Sequence, residues 1–291
     1  MTLRIRFAKY GALRFIGHLD VMRYFQKVIR RADLPVRYSQ GFTPHQIMTF
    51  AHPLSLGVSS DAEYMEVDFT EELSPEEVFE RMSARMSEGF SLLSCKRLPD
   101  VPEGTRAQSL MSLVTAAEYM VSWKDGYPAP PDEDTLRSAI REFYSKESIV
   151  VEKSTKKTTA ETDIKPFIYR MYMPGDAFTD PSDPGFTGDK MIKRTFDDGI
   201  DNLAHADRFE NGRKFFVCVA SGSADNIKPG LVTEALCEVL GYEYNKHAFA
   251  LHRMETYKEE GGSTGKDGAD EQNVSKDCSE GEKRSLVPLD F

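Results

Sequence analysis

The 291-residue sequence is poor in cysteine and has no excess of positive charge: four cysteines, and 37 Lys/Arg against 47 Asp/Glu for a formal charge of −10. Cys95, Cys218, Cys237 and Cys278 stand far apart, with no CxxC or CxxxCxxC spacing. That absence excludes the simple cysteine-ligated zinc and iron–sulfur sites, and with them radical chemistry run from a cluster held by this chain alone. It fits reduced thiols in a cytoplasmic protein better than a disulfide framework. The acidic balance excludes a nucleic-acid binder that works through overall charge, so any such contact must come from a local patch. Nowhere do about 18 uncharged apolar residues follow one another, and the first residues, MTLRIRFAKYG, alternate, so no membrane span is expected. HExxH and GxxxxGK[ST] are missing too, which leaves metalloprotease chemistry and nucleotide hydrolysis without support.

What is present is an ordinary globular composition, 40% hydrophobic and 29% charged, long enough for about two domains. Leu3 to Phe7 alternates as a half-buried strand, with Leu13 to Ile16 as its continuation or partner across a turn at Gly11. Val21, Met22, Phe25, Val28 and Ile29 recur at three- and four-residue spacing, which predicts a helix from about Gly17-His18 to just before Leu34-Pro35. Val36 to Tyr38 and Tyr64 to Phe69 read as strands. Ser74-Pro75-Glu76-Glu77 supplies an N-cap, a first-turn proline and a capping box for a second helix, and Phe90 to Lys96 returns as a strand. This order of strand, helix, strand, strand, helix, strand is that of the split-βαβ or ferredoxin-like fold.

A second series follows: strand Ala117 to Trp123, helix Asp134 to Lys146, strands Ile149 to Lys153, Phe167 to Met173 and Lys214 to Ala220, helix Pro229 to Leu240, and strand Ala248 to Met254. The expected class is therefore α+β: two tandem ferredoxin-like units with antiparallel sheets, over residues 1–100 and 101–257. The second carries an insertion at about 175–212, in which Met191 to Phe196 suits an edge strand. From residue 258 Glu, Gly, Ser, Lys and Asp dominate, which predicts a disordered tail over 258–291.

The chain total hides an asymmetry. Residues 1–50 hold nine Lys/Arg against two acids, a net +7, and the next fifty hold four against eleven, a net −7. Arg23, Lys27, Arg30 and Arg31 gather on one flank of the first helix, and with Arg14 they suit a phosphate backbone. The plainer reading is a set of surface ion pairs between the two segments. His18 and Asp20 fall at the helix start, where an imidazole and a carboxylate beside free N–H groups suit phosphate binding, general acid–base work, or simply capping. The loop from Ser39 to His45 offers Gln40, the aromatic Phe42 and His45, although Gly41 and Phe42 also suit a turn and a core contact. Lys156-Lys157 at a hairpin tip, Lys165, Lys228 at a strand-to-helix turn, and Arg253 on the last strand complete the candidate anion-binding set.

Several motifs carry a resemblance. Arg14-Phe15 with His18-Leu19-Asp20, Tyr38 to Phe42 with Pro44-His45, and Pro53 to Val58 with Glu63-Tyr64 resemble the bacterial radical SAM-linked, or radical SAM-associated, proteins. So do Thr155-Lys156-Lys157 with Asp163 to Pro166, and Asn226 to Pro229 with His252-Arg253, so that the resemblance runs to about Tyr257. That family is a domain of unknown function. The resemblance implies association, as a fused domain or a neighbouring gene, with a radical SAM protein carrying a cobalamin-binding-type domain. The iron–sulfur cluster, SAM and, as an option, cobalamin then belong to the partner, and no cofactor to this chain. Ile16-Gly17 and the acidic stretch from Asp197 to Glu210 depart from the pattern, and the second weakens a simple RNA-binding role.

At fold level the tandem layout also resembles the repeat-processing endoribonucleases of CRISPR systems, in which a first-helix histidine can be the acid–base catalyst, but a fold does not license an activity. The expected function is an accessory or substrate-recognition module of a radical SAM enzyme that binds RNA or another anionic substrate. The alternatives are a metal-independent endoribonuclease using His18 or His45, with Asp20 beside them, and a protein–protein scaffold.

Overall fold

Alternation from Leu3 to Phe7 does produce a strand, and it becomes the middle of the first half of a single large sheet. In the computed structural model, which describes residues 1–100, 108–154, 159–174, 190–192, 203–223, 225–259 and 284–289, β1 (Thr2–Lys9) turns its Leu3, Ile5 and Phe7 into a core. Helix α1 (His18–Arg31) lays Val21, Phe25, Val28 and Ile29 on that core. β2 (Met48–Phe50) and β3 (Ser59–Asp68) follow, then α2 (Pro75–Ser83) and β4 (Phe90–Arg97). Ser74 caps α2 as its sequence demands, accepting the Glu77 N–H at 3.0 Å.

The second half begins after a short helix, α3 (Leu110–Leu113), with β5 (Ala116–Trp123), α4 (Glu133–Ser145), β6 (Val150–Ser154), β7 (Thr159–Asp163) and β8 (Ile168–Tyr172). It continues with β9 (Lys190–Ile192), β10 (Lys214–Ala220), α5 (Pro229–Leu240), β11 (Phe249–Glu259) and β12 (Arg284–Pro288). Its core joins Val121 and Trp123 of β5, Val217 and Val219 of β10, Leu136 and Phe143 of α4, and Val232 and Leu236 of α5.

The fold is mixed α/β with one mostly antiparallel sheet of ten strands, ordered β4-β1-β3-β11-β5-β10-β8, with β2, β12 and β9 attached at its sides. The two expected units therefore do not keep separate sheets. β2 is only three residues long and pairs with β3 at Met65 to Val67, so the start of that ten-residue strand keeps a free edge, and β11 fills it in parallel at Ser59 and Ser60.

Other expectations are corrected as well. Leu13 to Ile16 is not a strand: Gly11 takes φ +57°, and Gly11–Phe15 winds into a 3-10 turn. Val36 and Tyr38 make only isolated bridges, to Phe69 and Gln46, and the strand that pairs is Met48–Phe50. β6 and β7 form a two-stranded ribbon apart from the main sheet.

The tail is not wholly irregular either. β11 continues to Glu259, and β12 pairs with it at Tyr257, Lys258 and Glu259, burying Leu286 and Leu289. β9, within the expected edge-strand region, pairs in parallel with β12. The rest of the insertion before residue 203, the hairpin tip with Lys156 and Lys157, and residues 260–283 lie outside the described residues. Among the described residues no helix is long and apolar enough to cross a membrane.

Candidate nucleic-acid interface

The amphipathic pattern of α1 leaves its charged flank in solvent. Arg23, Lys27, Arg30 and Arg31 are all exposed, while Phe25, Val28 and Ile29 are fully buried. Asp20, in the first turn, is also exposed and sits 3.4 Å from Arg23, so it partly screens one of the four cations. The rest of the flank stays positive.

A larger concavity opens where the two halves meet. It is a groove of about 720 Å³, open to solvent, lined by Arg14, Phe15, Leu56, Lys124, Arg208, Tyr244, Lys246 and His247 among others. Asp207 is the one acid among the described residues of its lining, and it pairs with Arg14. Phe15 is 65% exposed, held by the 3-10 turn so that its ring lies against Gly57. An aromatic face in solvent amid cations is what single-stranded nucleic acid uses, bases stacking while phosphates meet Lys and Arg. The loop from Ser39 to His45 adds Phe42, fully exposed, and Gln40, also exposed.

His18 faces elsewhere. It is half-buried, edge-on to Phe50 at 5.2 Å, and lines a smaller pocket with Lys9, His52, Glu63 and Tyr64. His45 is not part of that pocket; its Nδ1 lies 2.8 Å from Ser39 Oγ in its own exposed loop. The three proposed acid–base residues therefore do not form one described constellation.

Behind the pocket lies a buried polar seam at the β3–β11 junction. Arg253 is 2% exposed and donates to Glu63 at 3.0 Å, to the His52 carbonyl at 3.1 Å and to the Tyr119 hydroxyl at 3.2 Å. Burial and the Arg253 charge push His52 down to about 4, so its ring is neutral, with Nδ1 3.2 Å from Ser221 Oγ and Nε2 3.2 Å from Asn226 Nδ2. Asp61 is held between His205, at 2.6 Å, and His252, at 3.3 Å. Burial opposes its ionisation, but the hydrogen bonds from His252 and His205 hold its carboxyl below the usual range. Ser59, His252 and Asp61 follow one another as in a nucleophilic relay, yet each is at most 2% exposed, which makes this a structural chain.

Arg253 thus belongs to the seam, where its ion pair leaves it no access to an external anion. Lys165 is likewise turned inward, donating to the Tyr144 carbonyl at the end of α4, with its ammonium 4.6 Å from the Tyr144 ring. Lys228 is exposed at the N-cap of α5. Sequence reasoning passed over Lys9, although Leu3, Ile5, Phe7 and Lys9 share the two-residue period of β1, which puts Lys9 on the core side. Lys124, Arg208, Lys246 and His247 carry no local pattern, because they converge only through the junction of the halves. Among the described residues no group of three or more His, Cys, Asp or Glu is placed to hold a metal ion.

A family model described as an uncharacterized protein conserved in bacteria (DUF2344) matches residues 2–202. Among the curated proteins nothing matches. One solved structure, a chain of a Cbf5-Nop10-Gar1 complex, aligns over 87% of this chain and 48% of its own length, at 10% identity and a TM-score of 0.39. That chain is about twice as long as the part this one spans.

Proposed function

The chain belongs to this bacterial family of unknown function, DUF2344, and from that premise we propose that it is a cytoplasmic RNA-recognition module working beside a radical SAM enzyme. The observation that carries the reading is the pairing of four exposed cations on α1 with a groove holding Arg14, Lys124, Arg208 and Lys246 around the exposed Phe15. The radical SAM association is supported by the motifs of the first helix and of the 39–45 loop, together with the lack of cluster-type cysteine spacing. The partner, in this reading, holds the iron–sulfur cluster, SAM and any cobalamin. The strand orders β4-β1-β3-β2 and β11-β5-β10-β8 support tandem split-βαβ units fused at one edge, an arrangement that sets a groove between two similar halves.

Fluorescence anisotropy with a single-stranded RNA across a salt series tests the module. Wild type binds with an affinity that falls steeply with salt, and R23E/K27E/R30E lowers the log–log slope by about 3. Salt-insensitive binding, or none by wild type, sinks the RNA role. Failure of tagged protein to retain any radical SAM protein from native lysate sinks the partnership, and salt-insensitive complex formation without RNA favours a protein scaffold instead. A second reading, RNA cleavage with His18 as general acid–base, is favoured by the shared pocket of His18 and Lys9. Intact RNA after prolonged incubation with concentrated protein removes it.

A further inference from the structure

The groove at the join of the halves is bordered by a strap, residues 203–211, which lays its own carboxylate on one of the groove's cations. Leu203 and Ala206 rest on Met120, Tyr172, Phe216 and Met254 of the sheet. His205 stacks on the Tyr10 ring at 4.2 Å and meets Asp61 at 2.6 Å, and Asp207 pairs with Arg14. At the far end Asp125 accepts the Glu210 N–H at 2.7 Å and the Asn211 side-chain amide at 2.7 Å. The middle of the strap is thus tied to the first half and its end to the second. The packing along it is thin: no residue from 203 to 211 is buried, and between it and Met120, Ser122 and Lys214 lies an open space of about 430 Å³. A segment with so few buried contacts opens at a lower free energy than the sheet beneath it.

Arg14 is only partly used by its pair. Nη1 faces Asp207, while Nε is buried and finds no acceptor among the described residues. The carboxylate therefore does not make the two-bond fork that a guanidinium offers and that a phosphate can fill. The same guanidinium lies 5.5 Å from the centre of the exposed Phe15 ring, so Asp207 stands where the phosphate of a base stacked nearby would come. We propose that the strap is a gate on the groove: Asp207 holds Arg14 as an internal stand-in for phosphate, and single-stranded RNA takes Arg14 by displacing it. This gate rests on the RNA reading above, whose regulation it supplies. A carboxylate tethered to the same chain competes at high effective concentration, so a lone anion displaces it poorly. A strand already held by Lys124 and Lys246 brings its next phosphate at a comparable effective concentration, and the gate favours it.

The test is binding of a labelled oligouridine to the full chain, read by anisotropy across a salt series for wild type, R14Q, D207N and R14Q/D207N. The Asp207 side chain is a third exposed, so D207N folds. It is expected to bind about fivefold tighter than wild type and to steepen the log–log slope by about 0.7, the single-strand increment for one more phosphate contact. R14Q costs wild type less than it costs D207N, in which it removes the gain. That dependence separates a gate from loosened packing: a gain that survives R14Q overturns the proposal. Hydrogen exchange read by mass spectrometry follows the strap itself. Oligouridine should speed exchange across 203–211 in wild type, and slower or unchanged exchange there overturns the gate. Oligouridine bound by neither wild type nor D207N overturns the RNA reading and the gate with it, whereas binding by wild type with no gain in D207N overturns the gate alone.

Discussion

Helices α1 and α4 occupy the same place in their halves, each following the first strand, and their N-termini are built in opposite ways. α4 begins on Asp132, whose carboxylate accepts the Thr135 N–H at 2.8 Å and the Thr135 hydroxyl at 2.7 Å. Glu133 and Asp134 fill its first turn, and Glu133 pairs with Arg137 at 3.1 Å. α1 begins on a bare glycine, has one acid in its first turn, and is backed by the buried ammonium of Lys9. One helix answers its dipole with a capping carboxylate and two further acids, and the other with Asp20 alone. The contrast sets the start of the first helix apart from the start of the fourth.

The largest way to break this contrast is to strip the seam that backs the α1 pocket. R253L leaves Glu63 as a buried, unpaired charge and is expected to lower unfolding stability by about 3–5 kcal/mol, read by chemical denaturation. A change of less than about 1 kcal/mol would mean that Glu63 reaches solvent. R137L, which leaves the exposed Glu133 of α4 only its longer contact with Arg213 at 3.7 Å, is the control and changes little.

A smaller effect sharpens the contrast through pH. His52 titrates near 4 in the folded chain and at the ordinary 6.5 when unfolded. Between those values the unfolded state binds more protons, so stability is highest above pH 6.5 and falls as pH drops toward 4. With its part-exposed ring screened by solvent, the loss is on the order of 2 kcal/mol. Denaturation midpoints across that range should flatten in H52Q, and an unchanged pH dependence would mean that His52 is not the group responsible.

The smallest effects come from exchanging the caps. D132A on α4 removes an acceptor that the helix uses and gives a small fall in melting temperature. G17S on α1 adds one: Gly17 has ordinary φ −77°, and a Cβ there meets only Asp20 Oδ2 at 3.9 Å. It is expected to raise stability by a few tenths of a kcal/mol, read as a small rise in melting temperature. A G17S chain no more stable than wild type would mean that the serine hydroxyl finds no first-turn N–H to cap.

Much of the molecule is legible from the chain alone. Two-residue alternation marks β1, three- and four-residue spacing marks α1, and Ser74-Pro75 marks the start of α2, because each is a local pattern that needs no distant partner to be read. The basic flank of α1 follows from the same arithmetic, since a helix that buries Phe25, Val28 and Ile29 must expose Arg23, Lys27 and Arg30. Reading fails where polarity and burial part company. Ser59-Ser60-Asp61-Ala62-Glu63 is mostly polar in sequence, yet it is the most buried polar part of β3, because β11 arrives from nearly two hundred residues away to supply His252 and Arg253 as partners.

The sequence by itself determined the four longer helices, most of the strands and the positive face of the first helix, all of them consequences of local patterns within a few turns of chain. The tertiary structure alone decided that Arg253 is spent on Glu63, that Lys9 is enclosed without a carboxylate of its own, and that the two halves share one sheet with a cationic groove at the join. These depend on which distant strand covers a free edge, and such pairings are set by burial and hydrogen-bond satisfaction across the whole fold.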